Sequence, residues 1–235
     1  MAKISKKAII CFVISILFFL LFATFTAVVM LVDVQTIGPE NSSIGLATLN
    51  RSVFDKLGEN GLWYEATEIL GLIPIVFACG FALLGAAQAI KRKSILKVDP
   101  EILLLGAFYV LVGIAYLSFE IIEINYRPIL IEGELEASYP SSHTILSCCI
   151  MITAIYMINK LMPRIKALIF AADAVCVLVT AVIVIGRLLS GAHWFSDIIA
   201  GVLISTALIT LYYASVFFVK DKINRKSKNK TEENL

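Results

Sequence analysis

Charge and histidine are both scarce in this chain. Of 235 residues, 16% are Asp, Glu, Lys or Arg, 59% are apolar, and only two are histidine. An ordinary soluble domain carries about a quarter charged residues, so this composition excludes that class. The five cysteines, Cys11, Cys79, Cys148, Cys149 and Cys176, form no CxxC pair and each falls in an apolar run. That pattern reads as small apolar side chains, and it points away from a disulfide framework or a zinc site. A Gly-rich phosphate loop is missing, and so is the interleaving of basic and aromatic residues that nucleic-acid binding requires. Lysine is absent between positions 98 and 159.

What is present is apolar length. Runs near 8–32, 62–90, 102–126, 144–162, 167–187 and 194–219 each approach the ~20 residues that a bilayer crossing needs. The expected fold is therefore an all-α integral membrane bundle of six spans, formed by residues 1–220. The first run is too long for the apolar core of a cleaved leader, so it reads as an uncleaved anchor. Six crossings put both termini on one side. Sixteen of the 20 cationic residues lie in the segments on that side, and only Arg51, Lys56, Arg127 and Arg187 lie opposite. The bias predicts cytoplasmic termini and a multi-pass protein of the cell membrane. Residues 221–235 are polar and basic without an apolar period, which predicts a disordered cytoplasmic tail. In the outer loop after span one, Leu46, Leu49, Val53, Phe54 and Leu57 recur at helical spacing and predict a short amphipathic helix at the interface. Asp173, inside span five, predicts a polar contact within the bundle.

Both histidines and two of the four outward cations gather at span ends on the outer side. His143 opens span four, His193 opens span six, and Arg127 and Arg187 stand at the far ends of spans three and five. His193 and Asp197 are four apart, a spacing that lets the carboxylate hold the imidazole on one helical face. In "YPSSH", Pro140 precedes Ser141 and Ser142, which predicts a capped helix N-terminus with free N–H groups aimed outward, a ready anion site. Two arginines, such an N-terminus and two histidines together describe a pocket for a phosphoryl group. One histidine can attack phosphorus and the other can protonate the leaving oxygen.

The "RP" at Arg127–Pro128, "PSSH" at Pro140–His143 and "GRLLSGAHWFSD" at Gly186–Asp197 resemble the three signatures of the type 2 phosphatidic acid phosphatase (lipid phosphate phosphatase) family, KxxxxxxRP, PSGH and SRxxxxxHxxxD. The resemblance covers roughly residues 33–215 and builds the site from 120–143 and 186–197. It implies a metal-independent, cofactor-free phosphatase acting on a lipid phosphate through a phosphohistidine, on the extracytoplasmic side. His193 resembles the nucleophile, Asp197 its orienting carboxylate and His143 the general acid. Arg127, Arg187 and Ser141 resemble phosphate ligands, with Ser142 offering its backbone N–H.

Three positions depart from the pattern. Gly186 replaces a serine, Ser142 replaces a glycine, and Glu120 stands where the family has lysine. A serine at position 142 is tolerated if it is the first helical residue and costs about 1 kcal/mol or more if positive φ is needed. Glu120 reverses a charge beside the expected phosphate, so it turns away, is protonated, binds a cation, or takes a substrate hydroxyl. Glu123, four before Arg127, predicts a helical ion pair steadying that arginine, and Glu132, Glu134 and Glu136 read as a solvated loop. Hydrolysis of a polyprenyl diphosphate, phosphatidylglycerol phosphate or phosphatidic acid is the leading expectation. The alternatives are phosphoryl transfer to another lipid and a non-catalytic lipid-binding protein with a degenerate site.

Overall fold

A computed structural model describes residues 4–233; Lys3 of the charge bias and the last two residues of the tail lie outside that range. Seven α-helices follow in order: α1 Lys6–Leu31, α2 Ala47–Leu57, α3 Gly61–Lys91, α4 Pro100–Ile121, α5 Ser142–Leu161, α6 Lys166–Leu189 and α7 Phe195–Glu233. All but α2 are long and apolar enough to cross a membrane, and the protein is a multi-pass membrane protein. In lipid each helix satisfies its own backbone, so the spans can expose apolar side chains such as Leu62, Leu83, Ile90 and Phe170.

The inner helices are α5 and α7. α5 buries Ile145, Cys149, Met151, Ala154 and Met157, and α7 buries Ile204, Leu208, Tyr212 and Val216. Phe22 and Val29 of α1 and Leu105, Phe108 and Val112 of α4 pack against them. All five cysteines are free thiols.

The two ends of the bundle differ in what they hold. At one end, the Ser5 N–H donates to Asp221 at 2.9 Å, which brings the start of α1 beside the distal part of α7. The backbone beyond Asp221 continues α7 as helix to Glu233. A helix already nucleated gains one hydrogen bond per added residue, so the polar sequence extends it where no separate element would form. Asp173 meets Asn159 on α5, whose Nδ2 lies 2.9 Å from each carboxylate oxygen.

At the other end lie the N-termini of α3, α5 and α7, the C-termini of α4 and α6, helix α2, and the connection from α4 to α5. That connection is a small hairpin. Arg127 N–H donates to Glu136 O at 2.9 Å, and Glu132 and Gly133 form its two-residue turn with φ of 51° and 85°. Helix α2 forms as expected, but its deepest residue is the polar Asn50, while Leu49 and Leu57 stay 45% and 41% exposed.

Candidate active site

His193 lies just before α7, fully enclosed. Its Nδ1 is 3.0 Å from the Ser138 carbonyl, which can only accept, so Nδ1 carries the proton and Nε2 keeps its lone pair. Nε2 is buried without a protein partner. Burial first, then the positive charges of Arg127 and Arg187, hold the imidazole well below its ordinary pKa, so it is a neutral base at neutral pH.

The expected His193–Asp197 arrangement differs in detail. His193 precedes the helix, and its Nδ1 lies 3.7 Å from Asp197 Oδ2, beyond hydrogen-bond length. The carboxylate spends its oxygens elsewhere. Oδ2 accepts the Trp194 N–H at 3.0 Å, the return half of a capping arrangement at the start of α7. Oδ1 accepts from Asn125 at 3.2 Å and Ser196 at 3.3 Å. Asn50 Nδ2 in turn donates to Ser196 Oγ at 2.9 Å, and Asn50 Oδ1 accepts the Ser196 N–H at 3.0 Å. Asp197 therefore anchors the turn that carries His193, with its Oδ2 3.7 Å from the ring Nδ1.

The α5 end matches its expected cap. Ser141 Oγ accepts from Thr144 N–H at 3.4 Å and Thr144 Oγ1 at 3.1 Å, leaving its own hydroxyl hydrogen to donate. Ser142 is the first helical residue and is not among the positive-φ positions, so serine replaces the family glycine without backbone strain. Ser141 N–H donates to Asp197 O at 3.1 Å, tying α5 to α7.

Arg187 is completely buried at the end of α6, with Nη1 2.8 Å from Glu68 Oε1 of α3. Its guanidinium lies over the Tyr64 ring, 5.1 Å from the centroid. Gly186 is required by the close approach of α3, since a Cβ there would sit 2.5 Å from Thr67 Cγ2 and 2.9 Å from Trp63 Cε3. The serine of the family pattern would collide with α3 in this chain.

Arg127 does not pair with Glu123. Helix α4 stops at Ile121, so four-residue spacing no longer sets two side chains on one face. Tyr126 OH donates to Glu123 instead, and Arg127 Nε faces Glu136 Oε2 across the hairpin at 2.9 Å. Glu136 is thus a partner of the site, whereas Glu132 and Glu134 are exposed as expected. Glu120 is exposed at the end of α4. It lines a small cleft with Tyr116, Tyr139, Ser142 and His193.

Every buried side-chain nitrogen that lacks a hydrogen-bond partner among the described residues belongs to Arg127, His143, Arg187 or His193. Each such group costs about 1–3 kcal/mol; an oxyanion accepting from the arginines and His143 would recover that cost, while His193 Nε2 offers a lone pair rather than a proton. The site therefore gathers all seven expected residues, His193, His143, Asp197, Arg127, Arg187, Ser141 and Ser142, at one end of the bundle, with Glu120 at its edge. Sequence reasoning missed Asn50, Asn125, Ser138 and Glu68. Asn50 stands four residues from both Leu46 and Phe54, so it interrupts the apolar stripe of α2. Glu68 is a carboxylate inside an apolar run.

Comparison with known proteins bears on the fold and the family. The structure resembles the crystal structure of a transmembrane PAP2-type phosphatidylglycerolphosphate phosphatase from Bacillus subtilis, with a TM-score of 0.55 and 17% identity, covering 88% of this chain and 96% of that one. That likeness concerns the fold. No curated protein matches the sequence. The PAP2 superfamily model matches residues 109–221, a stretch that includes both histidines, both site arginines and Asp197. Over residues 109–221 the chain is similar to the PAP2 superfamily.

Proposed function

We propose that the protein is a membrane lipid phosphatase that hydrolyses a lipid phosphomonoester or diphosphate through a phosphohistidine on His193, at the extracytoplasmic face. The observation that carries this reading is the neutral, buried His193 with a free Nε2 lone pair, among unpaired nitrogens of Arg127, Arg187 and His143. Arginine forks bind phosphate oxygens in a bidentate manner and neutralise charge as it develops. Nε2 attacks phosphorus, the P–O bond to the lipid breaks, and His143 gives its proton to the departing oxygen. Water then attacks the N–P bond, with His143 taking the proton back, and inorganic phosphate leaves. The clustering of basic residues at the opposite end supports the extracytoplasmic placement.

Candidate substrates are polyprenyl diphosphate, phosphatidylglycerol phosphate and phosphatidic acid. Phosphatidylglycerol phosphate is the first to test, because the similar fold from Bacillus subtilis is described as its phosphatase. Purified protein in detergent with a chelator should release inorganic phosphate from at least one of them, and His193→Ala should abolish release. Activity that needs added metal and survives that substitution would contradict the mechanism.

One observation favours a second reading. Glu120 borders the same small cleft as His193, where a carboxylate would oppose a bound dianion. If wild type is inert and Glu120→Lys is active, the protein is a lipid-binding relative with a degenerate site.

A further inference from the structure

The first half of α3 lies outside the three motifs and outside the matched stretch, yet one of its faces lines the site. Tyr64, Thr67, Glu68 and Gly71 follow the i, i+3, i+4, i+7 spacing of a single helical stripe. Tyr64 underlies the Arg187 guanidinium at 5.1 Å, and Thr67 Oγ1 lies 3.4 Å from Arg187 Nη1. At Gly71 a Cβ would come 2.9 Å from His143 Cδ2, so the imidazole rests directly on the helix backbone. Between these contacts, Glu68 bridges two partners. Its Oε1 is 2.8 Å from Arg187 Nη1, and its Oε2 is 3.6 Å from His143 Nε2.

The atoms left over show what the bridge does. Arg187 keeps Nε and Nη2 unpaired, the lateral edge of the guanidinium that suits a two-oxygen contact, and His143 keeps Nδ1 unpaired. Glu68 is itself 43% exposed, whereas Arg187 is fully enclosed, so the carboxylate reaches inward from the rim to fix a buried cation.

We propose that Glu68 is a positioning residue of the phosphate site. It clamps Arg187 by Nη1 so that the Nε–Nη2 edge faces the oxyanion, and it holds His143 in register with that edge. This rests on the phosphate-site reading above but can fail separately from it. A carboxylate that merely competed with phosphate for Arg187 would have the opposite effect when neutralised.

The test is binding of inorganic phosphate to the full-length protein in detergent, measured by calorimetry, with melting temperature recorded in parallel. Glu68→Gln keeps the side-chain length and an accepting oxygen while removing the charge. It should weaken phosphate binding at least tenfold with the melting temperature nearly unchanged. In an Arg187→Ala background the same change should alter affinity less than twofold. Glu68→Asp, which withdraws the charge by one methylene, should give an intermediate loss and carries the test if the glutamine variant does not fold. Equal or tighter binding by Glu68→Gln would overturn the proposal, as would a full tenfold loss in the Arg187→Ala background. A wild type that binds no phosphate would overturn it too. His193-dependent phosphate release from lipid, measured on the wild type, remains a separate test of the phosphatase reading.

Discussion

The two ends of the bundle hold similar polar groups in opposite states. At the end where α1 and α7 meet, charges find partners at the surface. Arg92 pairs with Asp99 at 2.8 Å with both side chains 40% exposed, Lys160 pairs with Glu101, and Asn159 pairs with Asp173. At the end where α5 and α7 begin, Arg187 and His193 are buried, and each keeps nitrogen atoms that no protein atom satisfies. Exposed pairs of the first kind contribute about 0–1 kcal/mol and serve orientation and solubility. Buried polar atoms of the second kind, the guanidinium donors and the imidazole lone pair, are costly unless a ligand meets them. The difference separates the structural end from the chemical one more sharply than the count of charges at either.

Substitutions can break this contrast, and their effects should fall in a clear order. Arg187→Ala removes the most enclosed cation of the site and should lower kcat/KM by about 10²–10³-fold, the scale for losing a transition-state donor. Steady-state phosphate release checks it. Gly186→Ser places a side chain against Thr67 and Trp63 and should destabilise the fold by roughly 1–3 kcal/mol, seen as a lower melting temperature in detergent.

A smaller effect concerns pH. His193 is held below its ordinary pKa of 6.5, so it stays neutral into mildly acid solution, and the acid limb of kcat/KM should lie below pH 6.5. Arg127→Ala removes a positive neighbour, makes protonation easier, and should move that limb upward while burial still holds it under 6.5. A limb that stays put or moves down would show that Arg127 does not act on the ring. Smallest of all is Arg92→Ala at the opposite end. It should change stability by less than about 0.5 kcal/mol and leave phosphate release unchanged.

Apolar run length made the six crossings legible in the sequence, because a bilayer demands them whatever the side chains are. Helix ends were less so. The third apolar run extends to 126, but α4 ends at Ile121, so the four-residue spacing of Glu123 and Arg127 does not fall on a helix. Periodicity could not show that the next residues fold into a hairpin, since the turn at Glu132–Gly133 and the Arg127–Glu136 pairing depend on tertiary contacts. The motif residues of the site were legible because their spacing is fixed by helix starts and ends. Their supports were not. Ser138 contributes only a backbone carbonyl, which any residue could supply, and Asn125 and Asn50 reach Asp197 and Ser196 from distant loops and helices. Glu68 left a trace, a carboxylate in an apolar run, whose partners 75 and 119 residues away only the packing of α3 on α5 and α6 brings near.

The most direct test of the account is to trap the covalent intermediate. Purified protein would be incubated briefly with a lipid phosphate labelled on its terminal phosphoryl group, denatured, and mapped by peptide. The account predicts an acid-labile, base-stable phosphoryl group on His193, absent from His193→Ala and accumulating in a variant slowed in the hydrolytic step. Label on another residue, or wild-type turnover with undiminished activity in His193→Ala, would contradict it.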